Sequence, residues 1–161
     1  HWCARISQNR SALAGKNARF LALEVAGSLT VEKGVKVAAH NELRVSDGGQ
    51  VVLNGGLLES ARWVDIHAGG SLEGHGLIRA ELFTKGILSL SGKKPLVIDG
   101  NAYLSGELKL SSIPSPKMDK SLSVIKANSI SGGFKNNEVL IGGKLFSIFY
   151  TPTSVTVKAK L

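Results

Sequence analysis

Ala26-Gly27-Ser28-Leu29-Thr30-Val31, then Asn41-Glu42-Leu43-Arg44-Val45, then Gly55-Gly56-Leu57-Leu58, then Gly69-Gly70-Ser71-Leu72-Glu73-Gly74-His75-Gly76: from residue 26 to about 92 the chain keeps returning to one short phrase. Each time a small or polar turn leads into a leucine-led apolar stretch. The leading leucines stand at positions 29, 43, 57 and 72, so the interval between them is constant to within one position. A turn-plus-strand unit of this size cannot bury its own apolar face, so the units must stack into a β-solenoid. The expectation is an all-β chain whose coils follow the leucine interval and whose flat faces, not a deep pocket, are available for function.

Composition bounds this reading. The chain has 161 residues, 43% hydrophobic, with 19 glycines and 4 prolines, which suits one folded domain rich in tight turns. No apolar run approaches the roughly 20 residues of a membrane-crossing helix. Position 1 is His and no charged-then-apolar leader precedes it, so a processed product or an excised piece is expected. The single cysteine, Cys3, excludes an internal disulfide and a cysteine-based zinc site. Asn9-Arg10-Ser11 matches the short glycosylation pattern, which arises often by chance.

The net charge of +8 is uneven. Residues 81–161 hold 11 lysines, no arginine and 5 acidic residues, whereas residues 41–80 hold 3 basic and 5 acidic ones. Nucleic-acid readers favour arginine forks with interleaved aromatics, so lysines spread along strands argue against that partner. They protect strand edges and keep the surface soluble, or else they face a polyanion.

Alternating β-branched and leucine residues predict strands near 20–25, 28–31, 35–38, 42–45, 50–53, 62–67, 77–83, 87–90, 95–98, 102–104 and 107–110. Residues 1–25 read as an N-terminal cap or linker remnant, with Ser11 to Gly15 either a short helix or a loose cover. Pro114 and Pro116 mark an excursion between the solenoid and a terminal cap that begins near residue 119. Leu145 to Tyr150 and Val155 to Lys160, joined through Pro152, predict an antiparallel hairpin over the end of the core. In it Val155 and Val157 should point inward, and Thr156 and Lys158 outward.

Gly69 to Ile78 resembles the glycine-led unit of bacterial autotransporter-associated β-strand repeats. Leu96 to Leu104, Gly106 to Leu110, Ser131-Gly132-Gly133-Phe134 and Thr153-Ser154-Val155-Thr156-Val157 continue the likeness in order, over roughly residues 26–161. The resemblance implies a right-handed parallel β-helix, exported from the cell, of the kind found in passenger regions and in accessory regions of large secreted proteins of carbohydrate-degrading bacteria. It implies no catalytic residues.

Arg62-Trp63-Val64-Asp65-Ile66-His67 is the most suggestive chemical cluster. Val64 and Ile66 point one way in a strand, and Trp63, Asp65 and His67 point together the other way. An indole beside a carboxylate and an imidazole offers a platform for a pyranose ring and partners for its hydroxyls; alternatively Trp63 lies under the N-terminal segment or a loop. A shift by one leucine interval sets Arg79 beside Asp65 and Glu81 beside His67, an ion-pair ladder. Asp65-x-His67 and Glu73-x-His75 are offset by less than that interval, so they need not converge on a metal or a catalytic centre. No triad, P-loop or dinucleotide pattern is present.

The leading expectation is a non-catalytic extracellular module that binds polysaccharide, anionic or sulfated if the lysines take part. The candidate residues are Trp63, Asp65, His67, Arg79, Glu81, Tyr103, Lys93, Lys94 and Lys109, with no catalytic residue, metal or cofactor. The rivals are a structural passenger or stalk segment and a fragment of a β-helix enzyme acting on polysaccharide. Exposure separates the first two: a binding module needs Trp63 or Tyr103 uncovered among polar groups, and a stalk needs neither.

Overall fold

The computed structural model describes residues 3–91, 94–111 and 121–160. All of its regular structure is β, and the proline-marked excursion around Pro114 and Pro116 lies outside the described residues. The strands are β1 (Cys3–Ile6), β2 (Ser11–Ala14), β3 (Ala18–Phe20), β4 (Ala22–Val25), β5 (Ser28–Glu32), β6 (Lys36–Ala39), β7 (Glu42–Val45), β8 (Gln50–Ile66), β9 (Ser71–Thr84), β10 (Ile87–Leu90), β11 (Leu96–Leu104), β12 (Glu107–Leu110), β13 (Leu122–Gly132), β14 (Glu138–Ile141), β15 (Lys144–Tyr150) and β16 (Ser154–Ala159). β1 to β13 wind into a parallel β-solenoid of about 5 turns, and β14 to β16 form an antiparallel group at its C-terminal end.

Lateral pairing sorts the strands into three faces. Face A stacks β1, β4, β7 and the final segments of β8, β9, β11 and β13. Face B stacks β2, β5, the opening segments of β8 and β9, then β10 and β12. Face C stacks β3, β6, the middle of β8 and β9, and the opening segments of β11 and β13.

Leu29 pairs with Val51, Val51 with Leu72, Leu72 with Leu88 and Leu88 with Leu108, so in every case the coil is longer than the leucine interval. Leu29, Leu43, Leu57 and Leu72 fall on faces B, A, C and B in turn. The interval is about two-thirds of the coil from Val51 to Leu72. In a three-sided coil each such step advances the chain by two faces, which is why the leucine phrase recurs without marking a full turn.

The true coil period is written in glycine. At the corner before face B, Gln50 N–H donates to Gly27 C=O at 2.8 Å, Ser71 N–H to Gly49 C=O at 3.0 Å and Ile87 N–H to Gly70 C=O at 3.0 Å. The backbones run so close there that a Cβ on Gly49 would lie 2.1 Å from the Val25 carbonyl oxygen, and one on Gly86 would lie 2.2 Å from that of Gly70. Only glycine fits such an approach.

Inward positions form continuous apolar ladders, such as Leu43, Val64, Leu82 and Ala102 on face A, all 0% exposed. A leucine buried this fully contributes about 1.5–3 kcal/mol relative to exposure. Thr84 breaks one ladder: it is 1% exposed, and its hydroxyl has no hydrogen-bond partner among the described residues.

Residues 11–14 are neither helix nor loose cover. Ser11-Ala12-Leu13-Ala14 is strand β2, paired in parallel with Ser28 to Val31, because lateral pairing outweighs the helical propensity of alanine and leucine.

At the other end each face terminates differently. β16 pairs antiparallel with the start of β13 and so continues face C in reverse. Face B ends on a side chain: Asn136 Oδ1 accepts the Leu108 N–H at 3.0 Å, and Asn136 Nδ2 donates to the Leu108 carbonyl at 2.9 Å. The hairpin of β15 and β16 follows the expected alternation, with Val155 and Val157 buried, Thr156 half-buried and Lys158 exposed. Phe134 N–H donates to the Tyr150 hydroxyl at 2.8 Å and ties the hairpin to the turn after face A.

Candidate functional site

Strand alternation on face A sets two outward rows across the coils. One runs Glu42, Trp63, Glu81, Asn101, Ser129, and the other runs Arg44, Asp65, Phe83, Tyr103, Ser131. Three aromatic rings from three successive coils meet there. Phe83 and Tyr103 stack with centroids 4.6 Å apart at 9°, and Trp63 meets Phe83 edge-on at 6.4 Å and 87°. Phe83 and Tyr103 remain 37% and 39% exposed, while Trp63 is half-buried.

Polar groups hold this strip in place. The indole N–H of Trp63 donates to Glu42 Oε2 at 3.0 Å, Glu42 in turn pairs with Arg44 at 2.9 Å, and the Arg62 guanidinium sits 5.8 Å from the indole centroid. Glu81 accepts from the Asn101 backbone N–H at 2.8 Å and from its side-chain amide at 3.3 Å. Ser129 Oγ donates to Asn101 Oδ1 at 2.7 Å. A stacked, hydrogen-bonded ladder of this kind loses little further side-chain freedom when a ligand settles on it.

Of the expected residues, Trp63, Asp65, His67, Glu81 and Tyr103 do gather on face A. The first strands are spent in the first coil, paired laterally with the second, and so do not cross over Trp63. Asp65 and His67 stand 3.1 Å apart, but the imidazole nitrogen is not aligned for a hydrogen bond.

The expected ladder of Arg79 with Asp65 and Glu81 with His67 does not form. With the longer coil Arg79 falls opposite Glu59 on face C and lies 3.7 Å from Asp99, while Glu81 falls opposite Trp63, and Asp65 opposite Arg44 and Phe83. Lys109 is on face B in line with Ser89 and Glu73, Lys94 is exposed in the connection before β11, and Lys93 lies outside the described residues. The members that sequence reasoning misses are Phe83, Glu42, Asn101 and Ser129. Their signal is strand alternation on the correct coil length.

Glu73 sits on face B and His75 follows it at the corner opposite Asn54, away from Asp65 and His67. Among the described residues no three His, Cys, Asp or Glu side chains are grouped closely enough to hold a metal ion. No helix there is long and apolar enough to cross a membrane.

No protein-family model, curated protein or solved structure matches the chain. Its architecture is that of a three-faced parallel β-solenoid with an antiparallel C-terminal strand group.

Proposed function

We propose that this chain is a non-catalytic carbohydrate-binding module of a larger secreted bacterial protein, and that a polysaccharide lies along face A. The observation that carries this reading is the strip of half-buried Trp63 and exposed Phe83 and Tyr103, drawn from three coils and bordered by Asp65, Glu81, Asn101 and Ser129. The C–H faces and edges of pyranose rings pack against aromatic carbon, and the flanking carboxylates, amide and hydroxyls exchange hydrogen bonds with sugar hydroxyls. Coils spaced about 4.8 Å apart give the strip a length of about 10 Å, on the scale of two linked sugars. The resemblance to autotransporter-associated repeats supports the secreted setting.

The strip carries Glu42, Asp65 and Glu81 against Arg44 and Arg62, a small acidic excess, so it favours a neutral stretch of glycan over a sulfated one. A glycan array followed by calorimetry tests the reading. Tyr103→Ala and Phe83→Ala should each weaken the best neutral oligosaccharide by about tenfold, the equivalent of roughly 1.4 kcal/mol, with circular dichroism and melting temperature nearly unchanged. A folded wild-type chain that retains no glycan at all would make the strip a stiffening ladder of a stalk.

A further inference from the structure

A concavity of about 390 Å³ lies around the corner from the aromatic strip, where face C turns into face A in the N-terminal coils. Its origin is legible in the outward row of face C, which reads Arg19, Ala38, Glu59, Arg79, Asp99 across the coils. Charged side chains occupy every position but one. Ala38 leaves a notch between Arg19 and Glu59, and although it faces outward it is only 8% exposed. The corner itself adds a step: Ser60, Ala61 and Arg62 separate Glu59 from Trp63, whereas Ala80 alone separates Arg79 from Glu81 in the next coil.

The charges in the notch are unequally satisfied. Glu59 pairs with Lys36 at 3.3 Å, and Arg79 with Asp99 at 3.7 Å. Arg19 has no ion-pair partner among the described residues, and His40 stands exposed on the same lining. The groove thus presents an unused guanidinium fork and an imidazole N–H beside apolar wall from Phe20, Ala38 and Ala61, with Glu59 facing them. A guanidinium fork matches a carboxylate in two parallel hydrogen bonds, the small apolar wall accepts the C–H face of a ring, and Glu59 can accept from ring hydroxyls. The volume falls within the usual range for small-ligand sites.

We propose that this corner groove binds a sugar acid, a hydroxylated ring bearing one carboxylate, with the carboxylate on Arg19 and His40 and the ring against Ala38 and Ala61. The inference deepens the glycan reading by adding an acidic-sugar subsite whose wall, at Ala61, stands close in the chain to Trp63. It rests on that reading for the source of the ring, but not for the binding event.

The test uses free glucuronate and galacturonate as probes, with glucose, galactose and acetate as controls, followed by NMR shifts of the His40 imidazole and the Arg19 side-chain N–H. Saturable shifts with the uronates alone are expected. Arg19→Gln should weaken them by about tenfold, and Ala38→Gln, which fills the notch, should abolish them while the chain stays folded. Trp63→Ala should leave uronate binding intact while it removes neutral oligosaccharide binding, so the two sites can fail separately. Equal shifts with glucose or with acetate would overturn the proposal, as would uronate binding that Arg19→Gln leaves unchanged.

Discussion

Faces A and B send the same kind of residue inward: Leu43, Val64 and Leu82 on one, Leu29, Val51 and Leu72 on the other, none more than 4% exposed. Outward they part. One lateral row of face B reads Leu13, Thr30, Val52, Glu73, Ser89, Lys109, aliphatic, hydroxyl and singly charged groups with no aromatic ring among them. The corresponding row of face A reads Arg44, Asp65, Phe83, Tyr103, Ser131. Coil stability is supplied by the inward ladders on both faces, so the outward rows are free to differ, and the face on which aromatic rings meet across three coils is the candidate for function.

The largest predicted effect breaks both faces together. Leu72→Ala removes a 0%-exposed side chain from the centre of the face B ladder and should cost about 2–5 kcal/mol in chemical unfolding, with glycan binding falling in parallel. A loss below about 1 kcal/mol would mean that the ladders are not the common support.

A smaller effect is expected where face B ends. Asn136→Ala strips both partners from the Leu108 backbone and should cost about 1–3 kcal/mol. Asn136→Asp, which keeps an acceptor but loses the donors, should recover only part of that. Equal stability of all three proteins would show that β12 needs no terminating partner.

Thr84→Val should act in the opposite direction. It preserves shape and removes a buried hydroxyl without a partner, for a gain of roughly 1 kcal/mol; a lower melting temperature would reveal that the hydroxyl is bonded. Smallest of all, Lys94→Gln and Lys109→Gln should move stability by no more than about 0.5 kcal/mol and leave affinity for neutral glycan unchanged. A steep loss of affinity would extend the binding surface beyond face A.

The inward ladders are readable in the sequence because strand alternation is local: Val64 against Asp65, or Val155 against Thr156, needs only its own strand. Lateral neighbours are not local. They depend on coil length, and the leucine interval tracks faces rather than coils, so it sets Arg79 beside Asp65 when that residue belongs beside Glu59. Gly27, Gly49, Gly70, Gly86 and Gly106 stand at the same corner of successive coils and carry the coil length directly. With their intervals Asp65 falls beside Arg44 and Phe83 beside Tyr103, whereas the step from Asp65 to Phe83 is longer than that from Gly70 to Gly86 and is not marked by the glycines. The notch at Ala38 is harder to foresee, since it is defined by a side chain that is missing from a row of charged ones.

The central claim, that glycan lies on face A, is tested most directly by the fluorescence of Trp63. Trp2 is the only other tryptophan, so a Trp2→Phe protein reports on Trp63 alone. Titration with a neutral oligosaccharide selected on the array should shift the emission saturably and protect the indole from acrylamide quenching, with a midpoint that matches calorimetry. Calorimetric binding with unchanged Trp63 emission and quenching would put the ligand elsewhere and contradict the account.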